Sequence, residues 1–331
     1  MDLQKHHTLE TTLVHVRLKG LDERPGPFCM SFGFDPEPLV RSIRDIGLVN
    51  APCVVQNPEG HLDIVVGYRR LVAAKSLGWS ALCCRDLTPL GFSPLQLLLL
   101  NLKDNLATRT LNPVEKGMVL SRLVTHLPRE EVVHAYMPML HLPSHDPTLD
   151  LYMEIERSEP EIRAAVAGGS LSMGALRALF TLEGDGRRVV FEWLSKLMLN
   201  SNQQIQFIEM LDDISSIEGK DIHTILMEEG PLDTLVQGKS PNRPQKAKQV
   251  LDRLRQRRFP RLFGAERRFQ KVVATLSLPG GVRIVHPPYF EGSQYRLEAL
   301  FRDGQELRRQ VKQLLGVKDL EKIKDPWGPE E

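Results

Sequence analysis

The sequence predicts an α+β fold in three parts: a compact α/β domain over residues 1–92, an all-helical middle domain over 93–235, and a basic helix with a small α/β domain over 236–331. Three observations support this division. Helix and strand patterns alternate in the first hundred residues, and the apolar spacing is then helical to about residue 230. The stretch 231–245 is rich in Pro, Gly, Ser and Asn, which is typical of a linker.

The elements of the first domain follow from local start and stop signals. A helix is predicted over FDPEPLVRSIRDIG, with Asp35 as its N-cap, Pro36 at its first position and Gly47 just past its end. Strands are predicted over APCVVQ and LDIVV, with a turn at 57–60 between them. A second helix over GYRRLVAAKSLG and a strand over ALCCRDL complete an order typical of a compact α/β domain.

The remaining elements are predicted in the same way. Ser93-Pro94 opens a Leu-rich helix through Leu106, and Asn112-Pro113-Val114-Glu115 resembles a capping box that starts the next helix. Beyond the linker, a basic helix over 244–258 precedes three predicted strands and a last helix. The strands are KVVATLSL, VRIVH and YRLEALF, and the helix is GQELRRQVKQLLG.

Composition limits the classes of protein that the chain can represent. The 331 residues carry a formal net charge of +1, so any basic surface must be local. Four cysteines without C-x-x-C spacing suggest a reducing compartment rather than a disulfide framework. No signal pattern opens the chain and no apolar run is long enough to span a bilayer. We therefore expect a soluble protein of the cytoplasm with no membrane partner.

The stretch VVGYRRLVAAKSLGW at 65–79 predicts an anion site. A strand that ends at Gly67 and enters a helix leaves backbone N–H groups unpaired at the positive end of the helix dipole. Glycine lets a ligand approach closely, and Arg69 and Arg70 add guanidinium groups that suit phosphate oxygens. This favours a phosphate site for a nucleotide or a nucleic-acid backbone. The alternative is two solvated charges in the first turn of a helix.

A second stretch, DNLATRTLNPVEKG, predicts a site for a hard cation. Asp104 and Asn105 form an acid–amide pair that can hold magnesium beside phosphates, and Arg109 follows them. The alternative is that Asp104 and Asn105 only end one helix, while Asn112 and Glu115 only cap the next.

Taken together, four ordered motifs resemble the ParB branch of the ParB/sulfiredoxin-like family over about residues 32–125. The motifs are SIRDIG at 42–47, Pro52 before CVVQ, GYRRLVAAKSLG at 67–78 and DNLATRTLNPVE at 104–115. The resemblance implies a DNA-binding protein that uses CTP and Mg²⁺ with at most slow hydrolysis, acting in plasmid or chromosome partition or in transcriptional regulation. It also implies a homodimer associated with the nucleoid.

The resemblance further assigns residues. It implies that Gly67, Tyr68, Arg69 and Arg70 bind the triphosphate, and that Asn105 and Arg109 assist. Asp104 is implied as the residue for hydrolysis and, with Asn105, as the magnesium ligand. The base region is implied at Gly47, Leu48, Val49 and Asn50.

Three departures from the family pattern qualify the chemistry. Tyr68 and Asp104 each stand where the family has glutamate, and Thr108 stands where its arginine is expected, with Arg109 one residue later. Phosphate binding is compatible with these changes, whereas we expect binding without phosphate release. The segment Gly67-Tyr68-Arg69-Arg70 lacks the cysteine that sulfiredoxin chemistry requires.

The family's helix-turn-helix is expected at about 128–160, with PREEVVHAYMPML as its first helix and SHDPTLDLYMEIERS as its recognition helix. Recognition helices normally present Arg, Lys, Asn or Gln to base edges. Acidic residues dominate here instead, and phosphates repel them. We therefore expect a degenerate helix-turn-helix. The acidic residues are Asp146, Asp150, Glu154 and Glu156.

A basic segment offers a different DNA contact. Residues 243–271 contain eleven Lys or Arg against two acidic residues. The alternative is a charged helix that packs on its own domain. Two further functions stay open for the chain as a whole: a ParB-like nuclease, and a degenerate ParB-fold scaffold that binds a protein partner. The DNA-contact candidates are Arg253, Arg255, Arg257, Arg258 and Arg261.

Overall fold

The structure is a computed structural model that describes residues 11–20, 25–228, 243–292 and 294–324. Two compact units divide the chain, residues 1–177 and 178–331. The three-part division stays a prediction. Most of the predicted linker lies outside the described residues. In the described part of the chain, no helix is both long and apolar enough to cross a membrane.

The first unit contains a four-stranded sheet in the order β1-β4-β2-β3. β1 and β3 run antiparallel to β4 and β2, whereas β2 and β4 run parallel. β1 was not predicted, because only Val16 of its residues is buried and the alternation is weak. The strands are β1 (Thr12–Arg17), β2 (Cys53–Gln56), β3 (Leu62–Val66) and β4 (Ala81–Asp86).

Two helices pack with this sheet as the sequence predicts. They are α1 (Glu37–Ile46) and α2 (Tyr68–Ser76). Val40 and Ile43 of α1 pack against Ala73 of α2, and the other face of α2 enters the main core. That core combines apolar side chains from all four strands with those of α2, including Val16, Val54, Ile64, Leu71 and Leu82.

Capping boxes start the next two helices, and the second of them was predicted. Ser93 and Gln96 close the box of α3 (Pro94–Thr108), and Asn112 and Glu115 close the box of α4 (Pro113–Leu123). The last two residues of α3 extend beyond the predicted end. These two helices bring the segment 104–115 back toward the start of α2, where the candidate site lies.

The predicted helix-turn-helix region is only partly regular. Its first segment is a short helix, α5 (Arg129–Glu131), followed by a π turn over Val132–Tyr136 and a 3₁₀ turn over Pro138–Leu140. The second segment forms α6 (Asp146–Arg157) as predicted. The guanidinium of Arg129 lies 2.7 Å from the carboxylate of Asp146 and 2.6 Å from that of Asp150. Part of the acidic charge of α6 is therefore paired.

α6 approaches α4 unusually closely. A Cβ atom at Gly117 of α4 would lie 2.4 Å from the carbonyl oxygen of Tyr152 in α6, so only glycine fits there. The buried face of α6 carries Leu149, Tyr152 and Ile155. The first unit continues through α7 (Pro160–Ala167), and α8 (Met173–Phe180) follows.

The second unit is mainly helical. Its small sheet has two antiparallel strands, whereas the sequence predicted three. The described helices of this unit are α9 (Gly184–Leu197), α10 (Ser201–Glu218), α11 (Ile222–Glu228), α12 (Arg243–Arg258), α13 (Pro260–Thr275) and α14 (Gly304–Leu314), and the strands are β5 (Val282–Val285) and β6 (Arg296–Ala299).

The strand predicted over KVVATLSL is wrong, because α13 continues through Thr275. The reason is tertiary packing. Leu262, Ala265 and Phe269 recur at helical spacing and form a core cluster with Phe290. The ring of Phe269 stacks on that of Tyr295, with centroids 5.5 Å apart. The β-branched pair before Ala274 favours a strand locally, but this cluster decides for a helix.

Candidate functional site

A cavity of about 180 Å³ lies in the first unit, where the start of α2 meets the end of α3. This volume is below the roughly 300–1,000 Å³ of ordinary small-molecule pockets. The two sequence stretches at 65–79 and 104–109 thus converge on one cavity. Its lining includes the predicted residues Gly67, Tyr68, Arg69, Arg70, Asp104, Asn105 and Arg109, together with Cys29, Met30, Ser31, Leu39, Asn101 and Thr108.

Gly67 is required at the start of α2 for two reasons. Its φ is +96°, in the left-handed region that favours glycine. A Cβ atom there would also lie 3.0 Å from both Cα and Cβ of Pro52. The carbonyl of Gly67 accepts the N–H groups of Arg70 and Leu71 at 2.9 and 3.2 Å. The glycine therefore lets β3 turn directly into a helix whose N-terminus faces the cavity.

Glu115 connects two of the three arginines of the cavity. Its side chain is 1% exposed. Oε1 lies 2.8 Å from Nη2 of Arg69, and Oε2 lies 2.6 Å from Nη1 of Arg109. The backbone N–H groups of Phe32 and Asn112 donate to the same carboxylate at 3.2 and 3.0 Å. A buried carboxylate needs such partners, because its desolvation is costly.

Each of these two arginines makes further contacts. Nε of Arg69 donates to Oγ of Ser31 at 2.8 Å, and its guanidinium lies 4.7 Å from the ring centroid of Phe34. Nη2 of Arg109 donates to the carbonyl of Met30 at 2.6 Å. Burial lowers the pKa of Arg69. Both guanidinium groups are therefore fixed in position.

Arg70 differs from them. Its side chain is half-buried and lines the cavity. Among the residues that the structure describes, none forms a hydrogen bond or ion pair with its guanidinium. The donors of this guanidinium are therefore available to an anion in the cavity.

Of the predicted metal ligands Asp104 and Asn105, only Asp104 is available to a cation. Oδ1 of Asn105 accepts Nε of Arg109 at 2.6 Å, and Nδ2 of Asn105 donates to Oδ1 of Asn101 at 2.8 Å. The amide is thus engaged within the protein. Asp104 is exposed at the cavity. The described residues contain no group of three or more His, Cys, Asp or Glu side chains that could hold a metal ion. Mg²⁺ would therefore need phosphate oxygens in addition to Asp104.

Sequence reasoning missed Cys29, which also lines the cavity. Its thiol donates to the carbonyl oxygens of Ile64 and Val65 at 3.2 and 3.3 Å. Burial raises the pKa of Cys29 to about 12. A thiol that stays protonated is a poor nucleophile, so this cysteine is structural.

The segment Gly47–Asn50, implied as the base region, does not line the cavity. Gly47 has a φ of +75° and ends α1, with its N–H donating to the carbonyl of Ile43 at 2.9 Å. Leu48 packs against the core of the sheet. Val49 and Asn50 are exposed. A base-binding role for these residues stays a prediction.

The basic segment forms many internal ion pairs. Arg257 of α12 pairs with Glu218 and Glu228, and Arg255 lies 2.7 Å from Glu266. Arg258 pairs with Asp213. These contacts favour the packing alternative for three of the five candidates. Arg253 and Arg261 are exposed.

Two curated proteins are similar to the chain, whereas no family model matches it. The probable chromosome-partitioning protein ParB of Vibrio cholerae is 24% identical over 180 residues, which cover 52% of this chain and 57% of that protein. The probable chromosome-partitioning protein ParB of Coxiella burnetii is 27% identical over 153 residues, covering 45% of this chain and 48% of that protein. The match thus spans about half the length of these relatives.

Several solved structures are also similar. The C-terminally truncated chromosome-partitioning protein ParB from Caulobacter crescentus complexed with CTP-γ-S is 21% identical, covers 52% of this chain and 93% of that chain, and has a TM-score of 0.26. The complex of that protein with the centromeric parS site is 16% identical, covers 59% of this chain and 98% of that chain, and has a TM-score of 0.32. A Pnob8-like ParB-N domain is 16% identical, covers 74% of this chain and 98% of that chain, and has a TM-score of 0.33.

The curated relatives agree with the resemblance that the motifs carry. The ordered motifs between residues 42 and 115 include both stretches that meet at the cavity. The two curated relatives carry the same family name. Over about half of its length, the chain is similar to curated ParB proteins.

Proposed function

We propose that the chain is a ParB-like DNA-binding partition protein whose cavity binds the triphosphate of CTP. The observation that carries the proposal is the convergence of a helix N-terminus with Arg69, Arg70 and Arg109 at one cavity. Backbone N–H groups and guanidinium groups are the donors that phosphate oxygens require. Because the cavity is small, the phosphates occupy it and the nucleoside lies outside.

Hydrolysis is not expected to follow binding. Tyr68 supplies a phenol in place of a carboxylate, and Asp104 is one methylene shorter than glutamate. Asp104 would hold Mg²⁺ through one carboxylate together with the phosphates. The metal would neutralise phosphate charge, while Arg70 and the start of α2 would hold the anion.

Binding of DNA is proposed from the names of the curated relatives and from the local basic charge. Arg261 is exposed on the basic segment and is the residue best placed for a phosphate backbone. Such binding would be non-specific and strongly dependent on salt. A gel shift of the full chain against a chain ending at residue 240 tests it, and equal affinity at matched salt would contradict it.

A homodimer is proposed through the small sheet and α14. Exposed apolar residues gather in this region, and Gln310 of α14 donates to the carbonyl of Leu300 at 2.8 Å, so β6 and α14 adjoin. Sedimentation of the Leu300→Glu variant tests this, since a dimer through this face would dissociate. The exposed residues are Leu297, Leu300, Phe301, Val311 and Leu315.

Calorimetry tests the central proposal. CTP, ATP and GTP are titrated with Mg²⁺ into the native chain and into the Arg69→Ala/Arg70→Ala variant. We expect the native chain to prefer CTP and release no phosphate, and the variant to lose binding. Absence of CTP binding would remove the proposal.

One observation favours a second candidate, the degenerate scaffold. Two of the three arginines are engaged by Glu115, as expected if they only hold the fold together. A chain that binds no nucleotide but retains its stability would support the scaffold. Metal-dependent cleavage of plasmid DNA would instead support the nuclease.

A further inference from the structure

Glu115 holds a position that a helix cap alone does not require. A capping box needs only the bond from its side chain to the N-cap N–H, which Glu115 makes with Asn112 at 3.0 Å. The same carboxylate also binds Arg69 of α2, Arg109 before α4 and the N–H of Phe32. One side chain thus joins three segments of the cavity wall.

The two ion pairs leave donors available on both arginines. A guanidinium carries five N–H donors. Arg69 uses one donor on Ser31 and one on Glu115. Arg109 uses one each on Asn105, Glu115 and Met30. Since both side chains line the cavity, the ion pairs fix their orientation and leave them able to bind an anion.

We propose that Glu115 is a positioning residue of the phosphate site, which fixes Arg69 and Arg109 at the cavity wall so that, together with Arg70, they bind the ligand phosphates. This inference rests on the proposed phosphate-binding function. It assigns to the last residue of the LNPVE motif a role in the ligand site as well as in the cap.

Displacement of Glu115 by the ligand is disfavoured by its other bonds. If the carboxylate left the arginines, the N–H groups of Phe32 and Asn112 would lose their acceptor. The side chain is 1% exposed, so no water replaces the lost partners. Glu115 is therefore a fixed support for the arginines.

The wall segment before Phe32 is held from the same helix. Nη1 of Arg122 donates to the carbonyl of Cys29 at 2.8 Å, and Nη2 donates to that of Gly26 at 2.9 Å. Arg122 and Glu115 both belong to α4. The shape of the cavity thus depends on α4 through two side chains.

The Glu115→Gln variant tests the inference, because glutamine retains the capping box but removes the carboxylate that the two arginines share. The matched control is Asn112→Ala, which weakens the same helix start and leaves the carboxylate in place. CTP with Mg²⁺ is titrated into the full chain of each protein. We expect Glu115→Gln to weaken binding at least about tenfold and Asn112→Ala less than about threefold.

A second readout needs no ligand. The Nε–H protons of Arg69 and Arg109 are hydrogen-bonded, so they should exchange slowly in NMR spectra and are assigned with Arg69→Lys and Arg109→Lys. We expect both slow protons to persist in Asn112→Ala. In Glu115→Gln they should exchange faster, because the guanidinium groups that Glu115 orients would no longer hold their Nε–H bonds to Ser31 and Asn105. Should Glu115→Gln fail to fold, Glu115→Asp carries the test, because it keeps the carboxylate but shortens its reach to the two arginines by one methylene.

The outcomes separate the two proposals. If the native chain binds CTP and Glu115→Gln binds it equally well, the positioning role is overturned and the phosphate site stands. If the native chain binds no nucleotide, the proposed function fails and the positioning role falls with it. Equal weakening by Glu115→Gln and Asn112→Ala would reduce Glu115 to a structural cap.

Discussion

Oε1 of Glu115 lies 2.8 Å from Nη2 of Arg69, although the sequence presents the first residue as a helix cap and the second as a phosphate ligand. This pair separates the roles of the two adjacent arginines. Arg69 is tied into the protein, whereas the guanidinium of Arg70 has no hydrogen-bond or ion-pair partner among the described residues. Their substitutions should therefore have different effects.

Arg70→Ala is expected to abolish nucleotide binding while changing the free energy of unfolding by less than about 0.5 kcal/mol. Arg69→Ala should lower the free energy of unfolding by about 1–3 kcal/mol, because Oε1 of Glu115 loses a buried partner. Urea unfolding and calorimetry on both variants check this. Equal destabilisation by the two substitutions would contradict the division of roles.

Gly67→Ala should destabilise the chain by about 1–3 kcal/mol, since a positive φ and the nearby Pro52 both disfavour a side chain. Gly78→Ala is the matched control, because Gly78 has a φ of +76° but open space around its Cβ position. Thermal unfolding should show a larger loss for Gly67→Ala. A loss as large for Gly78→Ala would assign the effect to φ alone.

Cys29 should resist alkylation in the native chain between pH 7 and pH 9. Its pKa of about 12 keeps the thiol protonated over this range, and the side chain is buried. Mass spectrometry after iodoacetamide treatment measures the modification, with the urea-unfolded chain as the positive control. Rapid native modification that rises with pH would show an exposed thiolate.

Substitutions of Arg257 and Arg261 should affect different properties, the first stability and the second DNA binding. Arg261→Ala is expected to reduce the slope of log affinity against log salt by about 1, as for one lost phosphate contact. Arg257→Ala should instead lower stability, because Glu218 and Glu228 lose their shared partner. Fluorescence anisotropy and urea unfolding provide the two measurements. The reverse pattern would place the DNA contact at Arg257.

Acid should remove the stabilisation contributed by Glu218. The guanidinium of Arg257 holds the pKa of Glu218 at about 2, below its usual value of 4.5. The stabilisation is therefore complete above pH 4.5 and is lost as the pH falls toward 2. Unfolding free energies of the native chain and of Glu218→Gln should differ by a constant amount above pH 4.5 and converge toward pH 2.

Local signals made most of the first unit predictable. The capping box of Asn112 and Glu115 predicts the start of α4, and Gly67 predicts the start of α2. β1 was missed because its pattern is weak without β4 beside it. The segment near Val272 was predicted as a strand but forms a helix, because Phe269 packs on the rings of Phe290 and Tyr295. These partners are too distant in sequence for a local pattern to include them.

The same limit applies to the site. The two stretches that carry Arg70 and Asp104 are readable from motifs, and they do meet at one cavity. The contacts of Glu115 with Phe32 and Arg69 could not be predicted from the sequence, because both partners are remote from it along the chain. Cys29 has no motif at all, and only the fold brings it to the cavity wall.

Gly117 has a consequence for how movement passes through the first unit. Because backbone meets backbone at Tyr152, no layer of side chains lies between α4 and α6 at this point to absorb a shift. A displacement of one helix at this point therefore requires a displacement of the other. Because Glu115 and Arg122 of α4 hold the segments of the cavity wall, the position of α6 is coupled to the shape of the cavity.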